Sequence, residues 1–252
     1  MENTLKLYLR EKKQETDDTI SLILEDTSGQ INSFHAGQFI TLLFNNESNL
    51  VYRYYSISSS PSFLPKLRVT IKVTENDIET ENIINSLTIN DVIEAYPPSG
   101  NFYNEPSLDN EKNYILIGVG SGITPLISIA HQILEKEKKS KVYLLYGNRN
   151  QKNIIFYNEI ENMISEYKDR IIVTHFLSRP DVNYTGNKGR ITDEFIKDFL
   201  TYFSPAELER TDFYICGPDE LVERATEAID SLKIINKNKL KEYRTVSIKT
   251  VN

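Results

Sequence analysis

The sequence is poor in the residues that hold metals and clusters. Of 252 residues one is cysteine, Cys216, and three are histidine, His35, His131 and His175. One thiol cannot form an internal disulfide, a CxxC redox pair, a four-cysteine zinc site or an iron–sulfur cluster. Three scattered histidines argue against a histidine metal site, so no metal is expected and any redox chemistry must come from an organic cofactor. Basic residues are in deficit: 29 Lys and Arg against 36 Asp and Glu leave a net charge of −7. With no long basic run, nucleic acid is not an expected partner. No apolar stretch approaches the roughly 18 residues of a membrane helix. The N-terminal MENTLKLYLREKK lacks the apolar segment and small-residue cleavage site of a secretory signal. These absences point to a cytoplasmic protein without a membrane partner. What is present is a globular balance, 39% hydrophobic and 26% charged, at a length that predicts two modest domains.

The pattern changes near the middle of the chain. TISLILE, QFITLLF, VYRYYSIS, LRVTIKV and DVIEAY are short runs rich in Val, Ile, Thr, Phe and Tyr, separated by DTSGQ, NNESN, SSPSFLP and PPSG. Such runs, with one short helix around Asn82–Leu87, predict an antiparallel β-barrel or sandwich. The polar connector NEPSLDNEKN marks the boundary between residues 1–106 and 107–252. Beyond it, strand-like YILIGV, VYLLYG, RIIVTHFL and DFYICG alternate with helix-like ITPLISIAHQILEKEKK, IIFYNEIENMISEY, ITDEFIKDFLTYF and DELVERATEAIDSL. That alternation predicts an α/β doubly wound parallel sheet, to which KLKEYRTVSIKTV adds a last strand.

Ligands of such a sheet sit beyond the carboxyl ends of its strands, which here read GVGSGITP, YGNR, LSRP and CGPD. Three of only ten glycines, Gly118, Gly120 and Gly122, fall within five positions and open a helix, with Pro125 in its first turn. Glycines there let a pyrophosphate approach the helix N-terminus; a tight turn packed closely against the sheet uses the same residues. At the neighbouring strand ends stand Asn148 with Arg149 and Ser178 with Arg179. An acid for a ribose 2′-hydroxyl is missing, and two arginines suit a 2′-phosphate, although each alone also reads as a surface residue. The combination favours NADPH over NADH.

In VYRYYSIS the two-residue period puts Arg53 and Tyr55 on one face and Tyr54 and Ser56 on the other. A cation beside a ring suits an anion joined to a flat heterocycle, or a plain cation–π pair. Here the sequence resembles the ferredoxin–NADP reductase superfamily of flavoenzymes. The family's Arg-x-Tyr-Ser stands as Arg53-Tyr54-Tyr55-Ser56, and its Gly-Gln-aromatic strand as Gly37-Gln38-Phe39. Its nicotinamide-domain loop stands as Gly118 to Pro125, and its Cys-Gly-Pro as Cys216-Gly217-Pro218. The four motifs keep family order and span nearly the whole chain. YGNR and LSR place it nearest the oxygenase-reductase and flavohaemoglobin-reductase branches.

The resemblance implies a flavin-binding barrel and a nicotinamide-nucleotide domain, passing electrons from NADPH through FAD, in preference to FMN, to a separate acceptor. Ferredoxin, flavodoxin, an oxygenase component or a small molecule would serve as acceptor. A free-flavin or quinone reductase, or a non-catalytic flavin-binding module, is the alternative. Arg53 is expected at the flavin phosphate, Tyr55 on the ring with Tyr54 beside it, and Ser56 near N5. Ile71, Lys72 and Val73 would line the flavin through backbone groups. The family's Gly-x-x-Ser phosphate turn reads Asp77-Ile78-Glu79-Thr80, with Thr80 as the phosphate donor and Glu79 and Glu81 as ill-suited neighbours for an anion. Gly120, Gly122 and Thr124 would face the nicotinamide nucleotide, and Cys216 its reactive C4, beside Gly217 and Pro218. Ser56, Tyr55 and Cys216 are the catalytic candidates. The segment Leu240–Asn252 either covers the flavin or closes a sheet edge.

Overall fold

The computed structural model describes residues 4–46, 49–74, 77–231, 239–243 and 249–251. The N-terminal half holds β1 (Leu5–Thr16), β2 (Thr19–Glu25), β3 (Phe39–Asn46), β4 (Asn49–Ser56), β5 (Lys66–Lys72), α1 (Ile78–Ser86) and β6 (Val92–Ser99). These six strands run antiparallel in the order β4-β3-β6-β1-β2-β5. Leu7, Leu9, Leu22, Leu24, Ile40, Leu42 and Val69 alternate inward and fill the interior. The barrel stops short of closure: β4 and β5 are joined by one isolated bridge, from Ile57 just past the end of β4 to Val69.

β1 is absent from the strands expected above. Only Leu5, Leu7 and Leu9 show the alternation, and the rest, REKKQET, is charged and polar. Pairing with β2 across the Asp17–Asp18 turn carries those residues as the polar, partly exposed half of a hairpin. α1 covers Ile78–Ser86, starting four residues before the expected Asn82, because Asp77 caps it by accepting from the Thr80 amide at 3.1 Å.

The C-terminal half holds β7 (Asn113–Val119), α2 (Ile123–Lys136), β8 (Lys141–Asn148), α3 (Tyr157–Tyr167), β9 (Ile171–Leu177), β10 (Asn187–Lys188), α4 (Asp193–Leu200), α5 (Pro205–Glu209), β11 (Thr211–Gly217), α6 (Asp219–Ser231) and β12 (Lys239–Tyr243). All its strands are parallel, in the order β10-β9-β8-β7-β11-β12. Tyr114, Leu116, Tyr214 and Cys216 face α2 and α3, while Ile115, Ile117, Phe213 and Ile215 face α4 and α6. The chain winds outward from β7 to β9 and returns to β11 beside β7. That reversal makes a crevice between β7 and β11.

Two helix boundaries and the final run depart from expectation in ways the packing explains. α2 ends at Lys136, not Lys139, because the next residue, Glu137, turns inward and is fully buried. Its carboxylate accepts from Tyr114 at 2.8 Å, Asn110 at 2.7 Å and Ser140 at 2.7 Å. α3 starts at Tyr157, three residues late, since Ile154–Phe156 are buried in a non-helical entry and Phe156 has φ of 63°. KLKEYRTVSIKTV is two strands in two sheets. β12 joins the parallel sheet, and β13 (Lys249–Val251) pairs antiparallel with β4, with Lys249 opposite Tyr52. Residues 244–248, within that run, lie outside the described residues. Strand alternation says nothing about which sheet an edge strand will join.

The two halves dock through a polar cluster, beside apolar contact of Ala36 and Phe102 with the core of α2. Arg68 of β5 donates to both oxygens of Glu159 on α3, at 2.6 and 2.9 Å, and lies 4.2 Å over the Phe156 ring. The nitrogen that reaches Glu159 at 2.9 Å, Nη2, also donates to the Ser58 carbonyl at 2.6 Å, and Nε donates to the Ser58 hydroxyl at 3.0 Å. His131 Nε2 lies 2.8 Å from Glu159, Ser128 donates to the Ser59 carbonyl at 2.6 Å, and Ser60 donates to Glu135 at 2.7 Å. Burial alone would raise the Glu159 pKa, but the hydrogen bonds from His131 and Arg68 and their charge prevail and bring it to about 2. Because it is lower folded than unfolded, the pair stabilises the protein above the ordinary value of 4.5 and that contribution fades as pH falls toward about 2. Glu159→Gln should therefore cost on the order of 3 kcal/mol in urea unfolding at pH 7. The gap to wild type should shrink steadily below pH 4.5; a gap constant with pH would remove the ionised pair from the account.

Candidate functional site

A cleft of about 720 Å³ opens at the crevice, between the carboxyl ends of the parallel strands and the end of β5. That volume suits a medium-sized organic ligand. Its wall on the barrel side is Asp18 with Lys72, Val73 and Thr74, and on the sheet side Gly120, Gly147, Asn148, Arg149, Ser178 and Pro218. Four basic side chains line it (Lys72, Arg149, Arg190, Arg224) against two acidic ones (Asp18, Glu220). In a chain of charge −7 this is a local reversal of sign, which draws anions. Asp18 pairs with Lys72 at 2.8 Å and Glu220 with Arg224 at 2.9 Å. Arg190 also reaches Glu220 at 3.5 Å, whereas exposed Arg149 and Arg179 are in no ion pair among the described residues.

Beside this cleft a second hollow, about 590 Å³, is lined by Arg149, Ser178, Arg179, Gly189 and Arg190. Backbone bonds hold its two strand ends together: the Ser178 amide donates to the Asn148 carbonyl at 3.0 Å and that of Arg179 to Arg149 at 2.7 Å. Asn148 is only 8% exposed and its side chain faces the Tyr146 hydroxyl, though without a well-formed hydrogen bond. Its amide has two donors, so this cleft wall suits a ligand that brings an acceptor.

The glycine loop is shaped by two different needs. Gly120 has φ of 56° and open space where a side chain would stand, and its carbonyl accepts from Tyr146 at 3.0 Å. At Gly122 a Cβ would fall 2.2 Å from the Cys216 carbonyl oxygen, so this glycine lets the loop pack on β11. Thr124 is buried, and its hydroxyl donates to the Ser121 carbonyl at 2.9 Å. Cys216 is buried on the α2 side of the sheet and Gly217 packs against Leu221; of this motif only Pro218 lines the cleft.

The residues expected to hold the flavin form a separate group, and of them Lys72 and Val73 line the cleft. Arg53 is 5% exposed. Its Nη2 pairs with the Glu79 carboxylate, its Nε donates to Thr80 Oγ1 at 3.3 Å and its Nη1 to the Tyr52 carbonyl at 3.3 Å. Tyr55 hydrogen-bonds Thr80, and burial pushes its hydroxyl well up despite the Arg53 charge, so it stays neutral. On the opposite face Tyr54 meets Phe39 edge-on and Ser56 is half-buried. The Ile71 side chain is in the barrel core, which leaves backbone as what this edge strand offers a ligand. A buried arginine beside a helix N-terminus fits a flavin phosphate once Glu79 gives way.

Two family models match in tandem: an oxidoreductase FAD-binding domain over residues 6–103 and an oxidoreductase NAD-binding domain over 116–227. The chain belongs to the ferredoxin–NADP reductase superfamily. The ferredoxin reductase component of a 3-ketosteroid-9-alpha-monooxygenase from Rhodococcus rhodochrous is 30% identical over 222 residues, 87% of this chain and 59% of that protein. An NADH-cytochrome b5 reductase 2 from Kluyveromyces lactis is 29% identical over 68% of this chain and 55% of its own length. This member of the superfamily thus spans about 60% of the length of such relatives. In fold it is similar to the ferredoxin–NADP reductase of Plasmodium falciparum, at a TM-score of 0.80 and 22% identity, covering 96% of both chains. It is likewise similar to the flavohaemoglobin-like FAD/NAD-binding domain of a Vibrio cholerae nitric oxide dioxygenase, at 0.80 and 21%, covering 95% of this chain and 98% of that one.

Sequence reasoning missed Arg190 and Arg224. Arg190 stands 11 residues after Arg179, reached through β10, a two-residue strand with no pattern to read. A usable signal was there: a Gly-Arg pair just ahead of Ile191 and the helix cap Thr192 marks a turn, and in the structure Gly189 takes φ of 108° there. Among the described residues no group of three or more His, Cys, Asp or Glu is placed to hold a metal, and no helix is long and apolar enough to cross a membrane. The two loop glycines should separate in a stability measurement. Gly122→Ala should lower unfolding free energy by roughly 3 kcal/mol through overpacking against backbone, and Gly120→Ala by only about 1 kcal/mol of left-handed strain. Equal losses on urea unfolding would deny Gly122 its packing role.

Proposed function

We propose that this superfamily member is an NADPH-dependent flavoprotein reductase that passes electrons through FAD to a separate acceptor. The observation that carries the reading is the basic cleft at the switch point, next to a hollow with three arginines, in a chain that is acidic overall. A dinucleotide with a 2′-phosphate is the polyanion those groups suit: Arg149, Arg179 and Arg190 around the 2′-phosphate with Ser178, and the Asn148 amide donating to an acceptor of the nucleotide. Gly120 allows the pyrophosphate close to the loop, while Gly122, Thr124 and Gly217 hold that loop against β11.

When bound, the flavin supplies the redox chemistry, taking electrons as a pair from the nicotinamide and passing them on singly or in pairs. The protein's part is alignment and exclusion of water. Arg53 and Thr80 would hold the phosphate, Tyr55 would pack on the ring with Tyr54 beside it, Ser56 would orient the N5 edge, and Ile71, Lys72 and Val73 would offer backbone groups. Pro218 would close the nicotinamide side, with Cys216 buried behind it. The acceptor is a ferredoxin, flavodoxin or oxygenase component; the Rhodococcus relative, named a ferredoxin reductase component, supports that class. The ion pair between Glu79 and Arg53 supports a second reading, in which free flavin is itself the acceptor.

The test is an absorbance spectrum of the purified protein before and after anaerobic NADPH. Flavin bands that bleach are expected; bands that persist with both NADPH and NADH would leave only a binding module. Arg149→Ala and Arg179→Ala should each raise KM for NADPH about tenfold or more and that for NADH less than about threefold. Equal rises would deny the 2′-phosphate role. Ser56→Ala should slow NADPH-driven bleaching in rapid-mixing records while leaving nucleotide affinity unchanged; an unaltered rate takes Ser56 off the catalytic list.

A further inference from the structure

The surroundings of Arg53 are built for an anion, and an anion of the protein's own fills them. Glu79, which pairs with Arg53 Nη2, stands in the first turn of α1, where unpaired amides carry partial positive charge. The same turn carries Glu81, and Asp77 caps it through the Thr80 amide. The guanidinium and the helix end, both able to attract a flavin phosphate, thus already face carboxylates. The two partners are not equally placed: the Glu79 side chain is 36% exposed and that of Arg53 6%. Glu79 can swing into water; Arg53 cannot follow, and its buried charge then requires a replacement anion.

We propose that Glu79 is an internal competitor for the flavin phosphate, neutralising Arg53 in the flavin-free protein and displaced when a phosphorylated flavin enters. FAD and FMN are then exchangeable ligands, since binding them breaks one charge-assisted pair to make another. Riboflavin, which has no phosphate, leaves the Arg53–Glu79 pair in place and forfeits little. The protein therefore accepts flavins from solution over a narrow range of affinities, with or without phosphate. This rests on the flavoprotein reading above, whose resident flavin it turns into a dissociable one.

The experiment is a fluorescence titration of the purified, flavin-stripped full chain with FAD, FMN and riboflavin, using wild type, Glu79→Gln and Glu81→Gln. Wild-type Kd values should lie within about tenfold of one another. Glu79→Gln should tighten FAD and FMN by about 10- to 100-fold, the worth of one charge-assisted hydrogen bond, and leave riboflavin within about twofold. Glu81→Gln removes the same charge from the same turn without touching Arg53, and should change FAD affinity less than about threefold. A second readout guards against loss of fold: Glu79→Gln should melt lower than wild type without flavin and recover with FAD but not with riboflavin. A wild type that binds FAD over a thousandfold tighter than riboflavin overturns the proposal without any variant. So does an equal gain for riboflavin, or Glu81→Gln matching Glu79→Gln; in each case the flavoprotein reading stands. No flavin binding to wild type or Glu79→Gln overturns both.

Discussion

The bidentate pair between Arg68 and Glu159 sets where the barrel stands relative to the parallel sheet. Arg68 lies on β5, and Lys72, four residues or roughly 13 Å farther along the strand, is already in the cleft wall. Glu159 lies on α3, just after the loop whose Asn153 lines the opposite wall. A shift at this pair therefore changes the width of the cleft directly. The pair is half-buried and flanked by His131 and the Phe156 ring, so it is well screened from solvent and its geometry is tightly held. Apolar packing alone is less directional: Ala36 and Phe102 of the N-terminal half join the core of α2, but greasy contact tolerates sliding where a two-pronged hydrogen bond does not.

Charge is distributed with the same economy on both sides of the cleft. The sheet side leaves arginines Arg149 and Arg179 without ion-pair partners among the described residues, a state stable only because they are exposed to water. The barrel side does the reverse, burying Arg53 and giving it a carboxylate. One site is thus open to an anion from outside and the other is closed by an internal one. The difference follows from burial: an exposed guanidinium can wait for a ligand, and a buried one cannot.

Much of this was legible in the residues. Alternation in TISLILE and LRVTIKV, and the strand–glycine–helix succession from Tyr114 to Lys136, depend on local periodicity that each segment carries by itself. Arg149, Ser178 and Pro218 could be placed because a parallel sheet brings its strand ends to one edge whatever the intervening sequence. The charged half of β1 was not legible, since its pattern comes from the β2 strand it pairs with. Nor was the inward turn of Glu137, which needs Tyr114, Asn110 and Ser140 assembled from distant positions.

By itself the sequence determined the two kinds of sheet, the glycine turn between β7 and α2, and the residue types at each strand end, because these are properties of neighbours along the chain. Only the tertiary structure decided that Arg190 and Arg224 share the cleft with Arg149, that the final run divides between two sheets, and that Glu79 sits on Arg53. Each of these joins groups from different elements. Their proximity is settled by how helices and strands pack, by Coulombic pairing and by the desolvation of a buried charge, none of which local pattern records.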